Sequence, residues 1–181
     1  MKYFETITLK NGAECVLRGC EADDARELYE NFQKTHAETD FLLTYPDEND
    51  LTPEQETQFI ISKQKSGNEV EICAFLEGRL VGSAGIDAVG NREKVRHRAE
   101  FGISILKEAW GLGIGRKLTE ACLSCARQAG YAQVELTVVA QNERAIRLYE
   151  SVGFREFGRN PRGFRSRLTG WQETVLMRLE L

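Results

Sequence analysis

One stretch of this chain, Ala99–Leu123, restricts the fold more than any other. Large apolar and small residues alternate from Phe101 to Ile105, which is the period of a half-buried strand. Glycines follow at Gly111, Gly113 and Gly115, and after them apolar residues recur at the spacing of one helix face. The stretch therefore predicts a strand, a glycine-rich turn and the start of a helix.

That order of elements is typical of a site for a phosphate or pyrophosphate. Glycine lets the backbone approach a ligand closely and adopts positive φ at little cost. The first N–H groups of a helix have no partner within the helix, and the helix dipole favours an anion there. A glycine turn that serves only tight packing is the alternative, and the turn by itself leaves both open.

Two common phosphate motifs fit the turn poorly. The P-loop requires Gly-Lys followed by Ser or Thr, whereas Gly115 is followed by Arg116, Lys117 and Leu118. The dinucleotide fingerprint is G-x-G-x-x-G, whereas the glycines here are spaced G-x-G-x-G. The spacing therefore argues against a nucleotide-binding domain. Binding of NAD or ATP to the protein would be the observation that supports that interpretation.

Two segments together resemble the GNAT superfamily of N-acetyltransferases. Ala99–Arg116 is similar to the family's acetyl-CoA-binding segment, Gln/Arg-x-x-Gly-x-Gly/Ala after a strand, with Trp110 in place of the usual polar first residue. Asn142–Phe154 resembles the family's next helix, Asn-x-x-Ala-x-x-Leu-Tyr-x-x-x-Gly-Phe, and follows a strand pattern at Val134–Val139. The resemblance covers residues 69–181 well and the first 65 residues in general layout.

The fold class expected from the patterns and the resemblance is α/β, with a mixed, mostly antiparallel central sheet flanked by helices on both faces. Tyr3–Gly19 and Glu69–Ala88 each predict a hairpin, and Thr52 begins a helix with a capping box. The last two strands are expected at Phe154–Arg159 and Glu173–Glu180, with an arginine-rich loop between them.

The composition indicates one globular domain, residues 1–181, with 41% hydrophobic and 29% charged residues. The formal net charge of −4 argues against general nucleic-acid binding. No apolar run is long enough to span a membrane, and the first residues, MKYFETITLKNG, lack the apolar core of a signal peptide. We therefore expect a cytoplasmic protein with neither a nucleic-acid nor a membrane partner.

The five cysteines predict reduced thiols, because their number is odd and no secretion signal accompanies them. Cys122 and Cys125 have C-x-x-C spacing, but no second pair or histidine cluster is present. On a helix the two share one face, where buried thiols behave as small apolar groups. No metal site is expected.

The resemblance implies that acetyl-CoA is the co-substrate and that most of its contacts are to backbone groups. The pyrophosphate would bind the turn after the strand, and the pantetheine arm would pair with the strand's exposed edge. Asn142 is a good helix N-cap, and by resemblance its side chain also contacts the arm. The implied cofactor-binding residues are Ile103, Ser104, Ile105, Gly111, Leu112, Gly113, Ile114, Gly115, Arg116 and Asn142.

The acceptor amine must lose a proton before it can attack, since an alkylammonium titrates near pH ~10. Glu100 is the candidate base, because it matches the Ala-Glu position that serves this role in some GNAT branches. The alternative is a solvent-facing strand glutamate paired with Arg98 or Arg96. His97 is a second candidate, although it shares the face of Phe101.

The leaving thiolate needs a proton donor, and Tyr149 matches the family's general-acid tyrosine. The alternative is packing alone, with Ala145, Leu148, Tyr149 and Val152 on one helical face.

Two further segments bear on the substrate. The resemblance implies that His36–Asp50 forms a wall of the acceptor site. The alternative interpretation of this segment is a solvated acidic loop. Five arginines crowd the chain near its end, where they suit an acidic substrate, the 3′-phosphate of CoA or a solvated loop: Arg155, Arg159, Arg162, Arg165 and Arg167.

The resemblance to the GNAT superfamily implies an N-acetyltransferase that moves an acetyl group from acetyl-CoA to a primary amine of a small molecule, peptide or protein, by direct attack in a ternary complex. A non-catalytic acyl-CoA-binding or sensor module on the same fold is the alternative, and the presence of both Glu100 and Tyr149 favours the enzyme. The acceptor amine and a homodimer both remain open.

Overall fold

A computed structural model describes residues 1–48 and 51–181. Asn49 and Asp50, which close the expected acceptor segment, lie outside the described residues. The four helices of the described residues are α1 (Ala25–Glu38), α2 (Pro53–Lys65), α3 (Ile114–Gln128) and α4 (Glu143–Ser151). The strands are β1 (Phe4–Thr8), β2 (Glu14–Gly19), β3 (Val70–Leu76), β4 (Arg79–Ala88), β5 (Arg98–Ile105), β6 (Gln133–Val139), β7 (Arg155–Ser166) and β8 (Gly170–Glu180).

The described strands form one sheet in the order β1-β2-β3-β4-β5-β6-β8-β7. All neighbours are antiparallel except β5 and β6, which are parallel. That parallel pair is short, because its register joins only residues 98–100 to residues 133–135. Beyond Glu100 the two strands separate, so one edge of β5 is left unpaired. The expected α/β fold with a mixed, mostly antiparallel sheet is confirmed.

The helices begin and end where local chemistry requires it. Thr52 accepts a hydrogen bond from the Gln55 N–H at 3.3 Å while Gln55 accepts from the Thr52 N–H, which completes the predicted capping box of α2. Asn142 caps α4 by accepting from the Ala145 N–H at 3.2 Å. Gly130 follows α3 with φ +79°, as a C′ glycine does.

The core has two layers on opposite faces of the sheet. Val70, Ile72 and Ala74 of β3 belong to the larger layer, which includes the buried faces of α3 and α4. Cys73 and Phe75, the alternate residues of the same strand, belong to a smaller layer beneath α1 and α2. Because successive strand residues point to opposite faces, β3 is buried on both sides.

The expectation of an arginine-rich loop between the last two strands is wrong. The segment continues β7 to Ser166 and pairs with β8. Irregularities in the register between Glu156 and Gly158 and between Asn160 and Phe164 accommodate the Gly and Pro residues that suggested a loop. Pro161 is tolerated because β7 is an edge strand, where a missing N–H breaks no ladder bond.

Most arginines of this hairpin form ion pairs or contacts with aromatic rings within the chain. Arg159 bonds Glu156 and Glu173 across the hairpin. Arg162 and Arg165 both lie 5.4 Å from the ring centre of Trp171, which is 54% exposed. Trp171 is therefore an exposed side chain at the surface of the hairpin.

The cysteines depart in part from the sequence-based prediction. Cys20, just after β2, and Cys73, in the adjacent β3, form a disulfide with their Cα atoms 5.6 Å apart. Sequence separation hid this pair, because the antiparallel register of β2 and β3 brings it together. Cys15, Cys122 and Cys125 are free and buried, and for Cys122 and Cys125 this fits the prediction of small apolar groups.

Among residues 1–48 and 51–181, no helix is both long and apolar enough to cross a membrane. The same residues hold no group of three or more His, Cys, Asp or Glu side chains placed to bind a metal ion.

Candidate active site

The turn between β5 and α3 has the backbone conformation that its glycines allow. Gly111 has φ +85° and Gly113 has φ +99°, a region that residues with a Cβ rarely adopt. Gly113 is the N-cap of α3, and the first turn of α3 contains no acidic residue. The Trp110 indole N–H donates to the Ile105 carbonyl at 2.8 Å, which fixes the turn against β5. The open N–H groups of this helix start therefore form an anion cradle.

The cradle opens into a cavity of about 380 Å³ that also meets the unpaired edge of β5. Both features were expected to serve one ligand, and they lie in one cavity. Of the cofactor-binding residues expected from the sequence, all but Leu112 line this cavity: Ile103, Ser104, Ile105, Gly111, Gly113, Ile114, Gly115, Arg116 and Asn142. The Leu112 carbonyl instead accepts a hydrogen bond from the Lys10 N–H at 3.1 Å.

Tyr149 of α4 lines the same cavity. Its ring packs edge-on against Phe101 and Phe154, with centroids 6.1 and 5.9 Å away, so the predicted packing role is real. Burial raises the pKa of the Tyr149 phenol, which keeps the hydroxyl protonated at neutral pH. Within the described part of the chain, no hydrogen bond engages that hydroxyl. Tyr149 therefore lines the cavity as a neutral phenol.

Glu100 lies on β5, the strand whose free edge meets the cavity, but it does not line the cavity itself. It shares a face of β5 with Gly102 and Ser104, because alternate strand residues point the same way. Arg98, its suggested ion-pair partner, bonds Glu135 instead, at 2.5 and 2.7 Å. Glu100 is exposed, and no ion pair engages it among residues 1–48 and 51–181. His97 is exposed and also lies outside the cavity lining.

The end of α1 and the turn after it form the remaining wall. The lining residues from this part of the chain are Thr35, Thr39, Phe41 and Leu42. Thr35 is 2% exposed and donates its hydroxyl to the Asn31 carbonyl at 2.9 Å. Thr39, Phe41 and Leu42 belong to the segment His36–Asp50, which was expected to wall the acceptor site, and Thr35 precedes it.

The acidic residues after α1 are not a freely solvated loop. Asp40 accepts from Ser166 Oγ at 2.6 Å and from Gln172 Nε2 at 3.0 Å. Arg167 makes a bidentate contact with Asp47, both oxygens at 2.8 Å, and holds the pKa of that carboxyl below its usual range. These contacts attach the segment after α1 to the β7–β8 turn.

Sequence reasoning missed two cations near the cradle. Lys10, in the β1–β2 turn, lines the cavity and lies close to Gly113. Arg144, in the first turn of α4, also lines the cavity, and its guanidinium lies 5.2 Å from the ring centre of Trp110. No local motif marks Lys10, because only the tertiary fold brings the N-terminal hairpin to the cradle. Arg144 occupies a variable position of the Asn-x-x-Ala segment.

Comparisons with known proteins agree with this geometry. The model of the Acetyltransferase (GNAT) family matches residues 26–154. A solved acetyltransferase of the GNAT family from Streptococcus pneumoniae is 31% identical, with a TM-score of 0.88 over 92% of this chain and 99% of that one. A Salmonella typhimurium structure solved with its cofactor acetyl-CoA shares the fold, with a TM-score of 0.81 and 21% identity over 92% of this chain and 94% of that one.

Curated relatives match shorter segments. Mycothiol acetyltransferase from Acidothermus cellulolyticus is 51% identical over 51 residues, which are 28% of this chain and 16% of that protein. N-alpha-acetyltransferase RimI from Mycobacterium tuberculosis is 36% identical over 88 residues, 49% of this chain and 53% of that protein. The chain thus matches about half or less of these relatives' lengths.

Proposed function

Because this chain belongs to the GNAT family of acetyltransferases, we propose that it moves an acetyl group from acetyl-CoA to a primary amine, by direct attack in a ternary complex. The acceptor is a small molecule or the amine of a peptide or protein. The observation that carries the proposal is that one cavity contains the anion cradle, the unpaired edge of β5 and the Tyr149 hydroxyl.

The donor's anionic groups fit the cradle end of the cavity. The backbone N–H groups of Gly111–Arg116, including that of Leu112, would hold the pyrophosphate, since the helix start there favours a negative charge. Arg144 and Lys10 add positive charge beside the same turn, and we assign them to the phosphates as well. Asn142 keeps its capping bond and also faces the cavity, which suits its expected contact with the pantetheine arm.

The amide-rich pantetheine arm matches the free edge of β5. Residues 103–105 pair with β4 on one side, and β6 has separated from them on the other. An extended chain with amide groups adds to such an edge through backbone hydrogen bonds. The reacting thioester would then lie near Ser104, between Tyr149 and the acceptor wall.

Three groups divide the chemistry. Glu100 accepts the first proton of the incoming ammonium, directly or through water. Its side chain lies on the face of β5 that also carries Ser104. A backbone N–H near Ile103–Ile105 donates to the developing oxyanion. Tyr149 donates its proton to the departing thiolate, because a buried neutral phenol is a donor at neutral pH.

The relatives' names suggest which acceptors to try first. One is named for mycothiol, a small molecule, and another for a protein α-amine. A panel of an α-amino acid, an aminoglycoside antibiotic, spermidine, a peptide with a free N-terminus and a peptide with one lysine covers both classes. CoA release from acetyl-CoA in the presence of each amine measures transfer.

Tyr149→Phe tests the assignment of the proton donor. We expect it to lower kcat by about 10²–10⁴-fold and to leave acetyl-CoA binding unchanged, since the ring packing is retained. Equal activity of Tyr149→Phe and the wild-type protein would refute the donor role. Binding of acetyl-CoA without release of CoA for any amine would instead favour the non-catalytic acyl-CoA-binding module.

A further inference from the structure

A half-buried carboxylate lies on the sheet face that carries Glu100 and Ser104. Glu71 of β3 is opposite Gly85 of β4 in the register. A methyl group added at Gly85 would collide with Oε2 of Glu71, so the carboxylate lies directly over that glycine. Burial raises the pKa of Glu71 to about 7. The absence of a side chain at position 85 therefore makes room for a titratable group between the strands and α2.

The polar neighbours of Glu71 leave it available to accept a proton. Ser83, which is 8% exposed, offers its hydroxyl to the Glu71 carboxylate, and this interaction lowers the pKa of Glu71. Lys63 of α2 is 5% exposed and bonds Asp87 and Glu69 rather than Glu71. Glu71 is thus a partly buried carboxyl without a cation bonded to it among the described residues.

Ser83 connects this carboxyl to the cavity. In the register of β4 and β5, Ser83 is directly opposite Ser104, so their side chains share one face. Side chains in such cross-strand pairs have Cβ atoms about 4.5–5.5 Å apart, within reach of a hydrogen bond or one bridging water. Ser104 lines the cavity where the thioester would lie. In the register, the side chains of Ser104 and Ser83 therefore lie in one row across β5 and β4, toward Glu71 of β3.

The proposed reaction needs a second proton acceptor on this face. An ammonium has three N–H bonds and the product amide has one, so nitrogen loses two protons. One is lost before the attack, and Glu100 is assigned to it. The other is lost from the nitrogen after it has bonded to the acetyl carbon, deep in the cavity, where Glu100 contributes no lining.

We infer that the second proton passes from the attacking nitrogen through the hydroxyls of Ser104 and Ser83 to the carboxylate of Glu71. Ser104 Oγ accepts the proton as its own hydrogen moves to Ser83 Oγ, whose hydrogen moves to Glu71. The N–H electron pair stays on nitrogen as the C–S bond breaks, and the thiolate takes the Tyr149 proton. Tyr149 recovers a proton from solvent, so one proton is released per turnover.

Glu71 also has a path back to solvent. It lines a second, open cavity of about 640 Å³ between the end of α2 and the β1–β2 hairpin, together with Lys63 and Gln64. A proton that reaches Glu71 from the first cavity can therefore leave through the second. This inference rests on the proposed acetyl transfer and concerns only the destination of one proton.

Several charged or titratable groups face Glu71 from the elements packed around it. From α2 these are Glu56 and Lys63, and from β4 it is Asp87. The Cys122 thiol approaches through the sheet from α3. Glu56 and Asp87 raise the pKa of Glu71 and Lys63 lowers it, so a pH dependence attributed to Glu71 must disappear when Glu71 itself is changed.

The test is the pH profile of kcat for the amine of the panel that the wild-type protein acetylates fastest. We expect wild-type kcat to rise with pH through a limb near 7. Glu71→Gln should remove that limb and lower kcat by about 10²-fold or more at pH 7, with unchanged acetyl-CoA binding. Ser83→Ala should do the same, and Ser83→Thr, which keeps the hydroxyl, should restore the limb.

Two variants serve as comparisons. Glu93→Gln, an exposed glutamate in the turn before β5, should leave the profile unchanged. Glu100→Gln should lower activity at neutral pH, and its activity should recover as the pH approaches the pKa of the acceptor amine, near ~10. A limb near 7 that persists in Glu71→Gln, with kcat within about twofold of the wild type, would overturn the relay and leave the proposed function standing. Absence of transfer by the wild-type protein would refute the proposed function and with it the relay.

Discussion

Glu71→Gln should make the protein more stable at alkaline pH, although it removes a charged group. The folded protein raises the pKa of Glu71 from an ordinary 4.5 to about 7, because burial disfavours the carboxylate. Between these two values the folded state binds more protons than the unfolded state, so the free energy of unfolding falls as the pH rises. The stabilising contribution is fully present below pH 4.5 and is lost as the pH passes through about 7.

The size of the effect follows from the shift. A difference of about 2.5 pKa units corresponds to about 3 kcal/mol of stability lost by the wild-type protein between pH 4 and pH 8.5. Glutamine is neutral throughout, so Glu71→Gln avoids that loss. For a chain of 181 residues, about 3 kcal/mol changes Tm by roughly 6–12 °C.

The assay is thermal unfolding of wild type, Glu71→Gln and Glu93→Gln at several pH values from 4 to 8.5. The Tm of Glu71→Gln should be close to that of wild type at pH 4 and exceed it at pH 8.5, whereas Glu93→Gln should follow wild type throughout. Parallel curves for wild type and Glu71→Gln would show that the carboxyl is solvated with an ordinary pKa. That result would refute the desolvated site on which the proton relay depends.

Three other predictions follow from the site and the fold. Gly113→Ala and Gly130→Ala both place a Cβ at positive φ, so each should lower the free energy of unfolding by about 1–2 kcal/mol. Calorimetry should find weaker acetyl-CoA binding only for Gly113→Ala. Equal affinities of the two variants for acetyl-CoA would contradict the role of the cradle. Arg144→Ala should cost about 1.5–3 kcal/mol of acetyl-CoA binding and reduce its salt dependence, and an unchanged salt dependence would remove Arg144 from the phosphate site. Thiol counting in denaturant should find three free thiols before reduction and five after it, and five thiols without reductant would show that Cys20 and Cys73 are not bonded. Replacing Cys20 and Cys73 by serine should lower the free energy of unfolding by about 4 kcal/mol, because the disulfide joins residues 53 positions apart.

Local patterns predicted most of the secondary structure, because the relevant chemistry is local. The capping box at Thr52, the cap at Asn142 and the stop at Gly130 each depend on residues within one helical turn. The β7–β8 hairpin was mistaken in part for a loop, since Pro161 and the glycines usually interrupt strands. Only the position of β7 at the sheet edge makes a proline acceptable there, and that position is a tertiary property.

The site was predicted where one contiguous segment supplies it and missed where distant segments meet. The cradle and the edge of β5 lie within twenty-five residues of sequence, and their expected residues line one cavity. Lys10 reaches that cavity from the other end of the chain, through the hydrogen bond between its N–H and Leu112. Glu71 and Ser83 carry no motif, because their relation to Ser104 depends on the register of three strands.

The most direct test of the central claim, that the cradle and its cavity bind acetyl-CoA, is thermal unfolding with and without that ligand. Acetyl-CoA at 100 times its Kd should stabilise the protein by about 2.7 kcal/mol, which raises Tm by roughly 5–11 °C for a chain of this size. NAD and ATP at the same concentration are the controls and should give no comparable shift. An unchanged Tm with acetyl-CoA and other acyl-CoAs, or an equal shift with NAD or ATP, would contradict the account.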